Sequence, residues 1–275
     1  MSAPLSKTVE FPSLGTVCRL GLASRGNTEL PTDAVHEAIE RGVNYLNWCG
    51  TENGMQRAIA ELGSRRDDVK IAIQLESRSA DVARREFEQI CEELNREVID
   101  VVTYYYVEDR EDWDRIHEPD GAAGYLEMLK SEGRVKSIGL TSHQRPLAAS
   151  FVQDSDHLDM LMLRYNAAHR GAEDDVFPIT HGRLPIVSFT ALRWGALLRP
   201  TPTDPPDFVV PPATDWYRFA LAHPAVSVTL MAPNDADELR QNLTLLDEWQ
   251  ALSGERHAEL AAHGDRVREH AGRFP

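Results

Sequence analysis

From Val17 onward, short apolar runs rich in β-branched residues alternate with stretches of about ten to fifteen residues whose apolar positions recur every three or four. A short buried run followed by a one-faced helix is the pattern of a parallel sheet wrapped in helices. The runs predict strands at 17–23, 43–48, 69–75, 99–106, 135–141, 158–163, 186–189 and 226–231. Between them, 32–41 places Ala34, Val35, Ala38 and Ile39 on one helical face, and 80–94 does the same with Val82, Phe87, Ile90 and Leu94. Thr32 and Ser79 are the expected helix caps.

Eight strand–helix units predict a single (β/α)8 TIM barrel over residues 1–275, with the active site at the C-terminal strand ends. Two stretches break the rhythm. The Pro-rich stretch at about 199–213 is expected as an extended surface loop, because proline neither donates to a ladder nor continues a helix. The tail at about 255–273 is helical in pattern, rich in Arg, Glu and His, and is expected to lie over the outside of the barrel.

Composition narrows the function classes. The net charge of −15 is spread along the chain, which opposes nucleic acid and anionic membranes. A small-molecule substrate is the expected partner. Cys18, Cys49 and Cys91 are too few and too far apart for a disulfide framework, and no run approaches a membrane span, so a reduced, cytoplasmic protein is expected. His117, His169 and His181 lack metal-ligand spacing, and no metal is expected. Cys49 with His143 as base could in principle form a nucleophile pair, but an inert buried thiol is the expectation.

The segments Gly42-Val-Asn-Tyr-Leu-Asn47 and Gly133-Arg-Val-Lys-Ser-Ile-Gly-Leu-Thr-Ser-His143 resemble two signature stretches of the aldo-keto reductases. Ile99-Asp100, Tyr165-Asn166 with Arg170 and Glu173, Ser188 to Leu192 with Gly195 and Leu197, and His223-Pro-Ala-Val226 ahead of Leu239 and Asn242 extend the likeness in order, from about Gly15 to Leu243. The resemblance implies hydride transfer between NADP(H) or NAD(H) and a small carbonyl compound.

That family works with an Asp, a Tyr, a Lys and a His. Here the Asp position reads Asn47, the Lys position Gln74 and the His position Tyr105, while the shortened segment before Met55 offers Glu52 or Asn53 where the Tyr belongs. A phenol of ordinary pKa about 10 needs a neighbouring cation to exchange protons near neutrality, and Gln74 supplies none. Tyr105 is the candidate substitute proton donor, with Glu52 as a carboxylate partner. Strand alternation should point it away from Tyr104 and Tyr106. The commoner reading of three such tyrosines is β-propensity and barrel packing. A catalytically silent or non-redox relative, such as a cofactor-binding protein, isomerase or lyase, stands as the alternative.

The resemblance also implies a cofactor cleft. Thr141 and Ser142 would hold the nicotinamide carboxamide, Phe189 would stack on the ring, and Thr190, Leu192, Asn234, Arg240 and Asn242 would carry the rest. Met162 stands where a Gln usually assists, and Asp235 and Asp237 oppose a 2′-phosphate or complement a helix N-terminus. Trp48, Arg164 and Trp194 are the expected substrate-pocket residues, with Arg193 also at the mouth.

Overall fold

The computed structural model describes residues 6–24, 30–154, 156–270 and 272. Two short strands, β1 (Thr8–Phe11) and β2 (Gly15–Cys18), form an antiparallel hairpin. Eight parallel strands follow: β3 (Leu20–Ala23), β4 (Tyr45–Asn47), β5 (Lys70–Leu75), β6 (Ile99–Tyr104), β7 (Val135–Thr141), β8 (Met160–Arg164), β9 (Ile186–Phe189) and β10 (Val226–Met231). They pair in chain order, and β10 pairs with β3 to close the barrel.

The predicted strand 17–23 is thus two strands. The chain breaks at Arg19, whose buried guanidinium donates to the carbonyls of Leu221, Val226 and Ser227 and so turns the backbone from the hairpin into the barrel. The hairpin puts Phe11, Leu14 and Val17 under the barrel interior, in one cluster with Tyr45, Ala72, Val101, Met160, Val187 and Val228. The outward residues of the same strands, among them Leu46, Ile73, Val102, Leu140 and Leu163, form the second cluster with the surrounding helices. Burial on both faces explains why the strands read as continuous apolar runs.

Close packing inside the barrel is visible at Gly139, where an added Cβ would run into the Met160 side chain. Asp100 at the start of β6 is buried and accepts from the Ile71 amide at 2.8 Å and from Lys136 Nζ at 2.8 Å, tying three strand starts together.

Helix caps differ in detail from expectation. The helix Thr32–Glu40 has Pro31 at its cap position, and Ser79 sits at the cap of Ala80–Glu93 without a side-chain cap bond. Arg170 reaches Asp265 at 2.7 Å, while Glu173 accepts from the Tyr165 hydroxyl.

The last helix, Gly254–His270, packs against the loop after β8. Gly264 approaches the Ala167 carbonyl so closely that any Cβ would collide with it. Residues 271 and 273 of the predicted tail helix lie outside the described residues. The Pro-rich stretch is fastened to this helix: Asp204 accepts from His263 Nδ1 at 3.0 Å and Arg266 Nε at 2.6 Å, and Phe208 stacks on the His263 ring. Among the described residues, no helix is long and apolar enough to cross a membrane.

Candidate active site

Side chains alternate along a strand, so the inward positions of each stave can be read in steps of two. On β4 they are Tyr45 and Asn47, on β5 Ala72 and Gln74, on β8 Met160, Met162 and Arg164, and on β9 Val187 and Phe189. The lower members fill the barrel; the last members rim a cleft of about 1630 Å³ at the C-terminal end. Asn47, Gln74, Tyr105, Glu52, Thr141, Arg164, Phe189, Thr190, Leu192, Trp194 and Asn234 all line it.

At the centre of the rim, Gln74 Nε2 donates to Asn47 Oδ1 at 2.6 Å, and Asn47 Nδ2 donates to Cys49 Sγ at 3.2 Å. Asn47 is buried, and these bonds commit one oxygen lone pair and one N–H of its carboxamide inside the protein. A second cavity of about 250 Å³ adjoins the first and shares Cys49, Gln74 and Tyr105 in its wall, with Glu76, Glu86 and Glu93 on its outer side. Glu52 lines the large cleft, but its side chain is 86% exposed and lies 4.0 Å from Arg57.

The tyrosine run departs from simple alternation. Tyr104 faces outward, edge-on to Trp113, and Tyr105 turns to the cleft, as the period of two requires. Strand β6 ends there, and Tyr106 takes a left-handed φ of 45°, which swings its ring back into the same cleft, 3.9 Å from that of Tyr105. A bulky residue is costly in this backbone region. Arg78 holds the turn, donating to the carbonyls of Tyr105 at 2.9 Å and Tyr106 at 3.1 Å while paired with Asp112 at 3.0 Å.

Across the cleft, Arg164 is buried at the inward end of β8. Its Nη2 donates to His143 Nε2 at 2.6 Å, it bonds the Tyr106 hydroxyl, and its guanidinium lies 5.9 Å from the Trp194 ring centroid. Burial, reinforced by Arg164, lowers the His143 pKa to about 4, so the imidazole is neutral near pH 7 and accepts through Nε2. Its other nitrogen faces Glu108 Oε1 at 3.4 Å. This commitment leaves no role for His143 as a base toward Cys49. The loop after β9 carries three non-glycine residues of positive φ, Thr190, Arg193 and Trp194, and Asn166 Nδ2 braces it by donating to the Thr190 carbonyl at 2.9 Å.

Other expected site residues stand elsewhere. The Ser142 hydroxyl accepts from the Gln144 amide and so serves the next helix start. Trp48 is buried, donates to the Thr51 carbonyl and borders the small cavity, because it alternates outward from Asn47. Arg193 donates to the Gly272 carbonyl. Arg240 is half exposed and engaged by Glu37 at 2.9 Å and Asp237 at 3.1 Å, and Asn242 is buried against the Tyr217 hydroxyl. Asp235 caps the helix Ala236–Asp247 by accepting from the Glu238 amide; Glu238 itself lines the cleft and accepts from Asn234 Nδ2 at 3.0 Å. Tyr106, Arg57, Arg199 and Glu238 are cleft residues that sequence reasoning missed.

The model of the family described as "Aldo/keto reductase family" matches residues 15–208. Solved structures share the fold at low identity. An aldo-keto reductase from Bacillus halodurans in holo form superposes with a TM-score of 0.74 at 20% identity, over 95% of this chain and 96% of that one. One from Klebsiella pneumoniae in complex with NADPH gives 0.76 at 20% identity, over 94% and 95%. A third from Brucella melitensis gives 0.72 at 17% identity, over 95% and 100%. No curated protein matches the chain.

Proposed function

The chain belongs to the aldo/keto reductase family, and from that premise we propose that it is an NAD(P)H-linked oxidoreductase acting on a small carbonyl compound, with Tyr105 as a non-standard proton donor. The observation that carries the reading is the convergence of Tyr105, Gln74 and Asn47 on one cleft, facing Phe189 and Thr141. The similar structure from Klebsiella binds NADPH.

The residues present fit a dinucleotide. The cleft exceeds the roughly 300–1,000 Å³ of common small-molecule sites, giving room for a cofactor beside a substrate. Phe189 offers an aromatic face, Thr141 a hydroxyl, and the 190–195 loop a backbone approach. Asn234 and Glu238 line the same cleft, and Arg240 is held outside it; a carboxylate there suits a ribose diol better than a 2′-phosphate, so NADH joins NADPH as a candidate. A bound reduced nicotinamide would supply hydride. Tyr105 would donate a hydrogen bond to the substrate oxygen and release its proton as negative charge develops there. Asn47 and Gln74 would hold the floor of the site as a neutral amide pair, and Tyr106 would wall off water beside the reacting oxygen.

The same neutral pair favours one alternative, a relative that binds the dinucleotide without ordinary carbonyl turnover. Tryptophan emission separates the readings, because Trp194 is 65% exposed on the cleft wall. NADPH or NADH should quench it at micromolar to millimolar concentration. Absence of quenching removes the dinucleotide, and quenching without consumption across a panel of aldehydes and ketones selects the silent relative.

A further inference from the structure

We propose that the cleft selects carbonyl substrates that carry a carboxylate, and that Arg164 is the residue that recognises it. The inference deepens the oxidoreductase reading and rests on it. Arg164 follows Met160 and Met162 on the inward side of β8, so its charge is delivered to the cleft wall by strand parity rather than by a loop. Around it stand the His143 imidazole at 2.6 Å, the Tyr106 hydroxyl and the Trp194 ring face, and the Glu108 carboxylate acts on it from behind the imidazole. Glu108 accepts from the His143 backbone amide at 2.9 Å and faces the ring Nδ1 at 3.4 Å, which orients the ring so that Nε2 accepts from the guanidinium.

A guanidinium fixed in this way presents a planar fork, the geometry that matches a carboxylate through paired N–H bonds. Tyr106 sets the spacing. Its ring lies tilted against that of Tyr105, with centroids 3.9 Å apart, and its hydroxyl meets Arg164. A carbonyl at Tyr105 and an anion at Arg164 would stand on either side of Tyr106, so a short oxo acid is the substrate to try first.

The test compares 4-oxobutanoate with its methyl ester, using the full-length protein with NADPH and with NADH. The wild type should favour the acid in kcat/KM by about tenfold to a hundredfold, the usual worth of a charge-assisted pair, and the ratio should shrink as salt is raised. Arg164→Met, which places a side chain like its strand neighbours at 164, should bring the ratio to about one. The acid-to-ester ratio of the wild type and its salt dependence decide the matter even if that variant does not fold. Equal rates for acid and ester overturn the proposal. So does a variant that loses NADPH binding while keeping the ratio, since Arg164 would then hold a cofactor phosphate. Succinate supplies a readout free of turnover: it should raise the melting temperature of the wild type and not of the variant. Stabilisation by succinate with no reduction of any carbonyl would sink the oxidoreductase reading and leave the anion site standing.

Discussion

Gln74 donates its side-chain amide to the Asn47 carboxamide oxygen across 2.6 Å, joining the ends of two adjacent barrel strands through groups that carry no charge. Family resemblance implies a lysine and an aspartate at these positions. The bond links the strands through neutral groups, and Gln74 offers a phenol no cation.

The link is also where charge can be restored. The double variant Asn47→Asp, Gln74→Lys should raise carbonyl turnover at pH 7 by about tenfold or more, part of the 10²- to 10⁴-fold that assisted proton transfer contributes. Cofactor oxidation followed at 340 nm with an aldehyde panel checks this. An unchanged or lower rate in a folded variant would mean that the proton does not pass near Gln74.

Arg78 fastens the turn that carries Tyr105 and Tyr106, with two backbone carbonyls and Asp112 as partners. Arg78→Met should lower kcat by about tenfold and stability by roughly 1–3 kcal/mol, the range for losing charge-assisted bonds. Urea unfolding and steady-state kinetics read the two effects separately. A stability loss with intact kcat would show that the turn does not need this brace for function.

How far the chain could be read in advance differs sharply between scaffold and site. The barrel was legible because its strands are short apolar runs with a fixed inward parity, and the same parity put Asn47, Gln74, Arg164 and Phe189 on one rim. The break at Arg19 was hidden, since 17–23 is one unbroken apolar run apart from a single arginine whose three carbonyl partners are some two hundred residues away. Tyr106 escaped because its direction depends on a left-handed φ that neither its neighbours nor its own type signals. Trp48 and Arg193 read as pocket residues by position along the chain, but parity sends the first outward and the Gly272 carbonyl draws the second away.

The Pro-rich stretch shows the same limit. Nothing periodic marks Asp204, and its partners His263 and Arg266 are sixty residues on. Burial raises its pKa, but the Thr201 amide, His263 and Arg266 outweigh that and leave it at about 2. The folded value lies below the ordinary aspartate value of about 3.9, so its stabilisation is complete above pH ~4 and is lost as pH falls toward 2.

Asp204→Asn should accordingly cost on the order of 1 kcal/mol at pH 7, and the gap to wild type should close by about pH 2. Melting temperatures between pH 7 and pH 2 check the sign. A gap that widens on acidification would contradict the clamp.

The most direct test of the account is Tyr105→Phe, assayed for carbonyl turnover alongside NADPH and NADH binding by tryptophan emission. The account predicts cofactor affinity within about twofold of wild type and a fall in kcat of roughly 10²- to 10⁴-fold. Turnover equal to wild type, in a protein that still binds the dinucleotide, would contradict it.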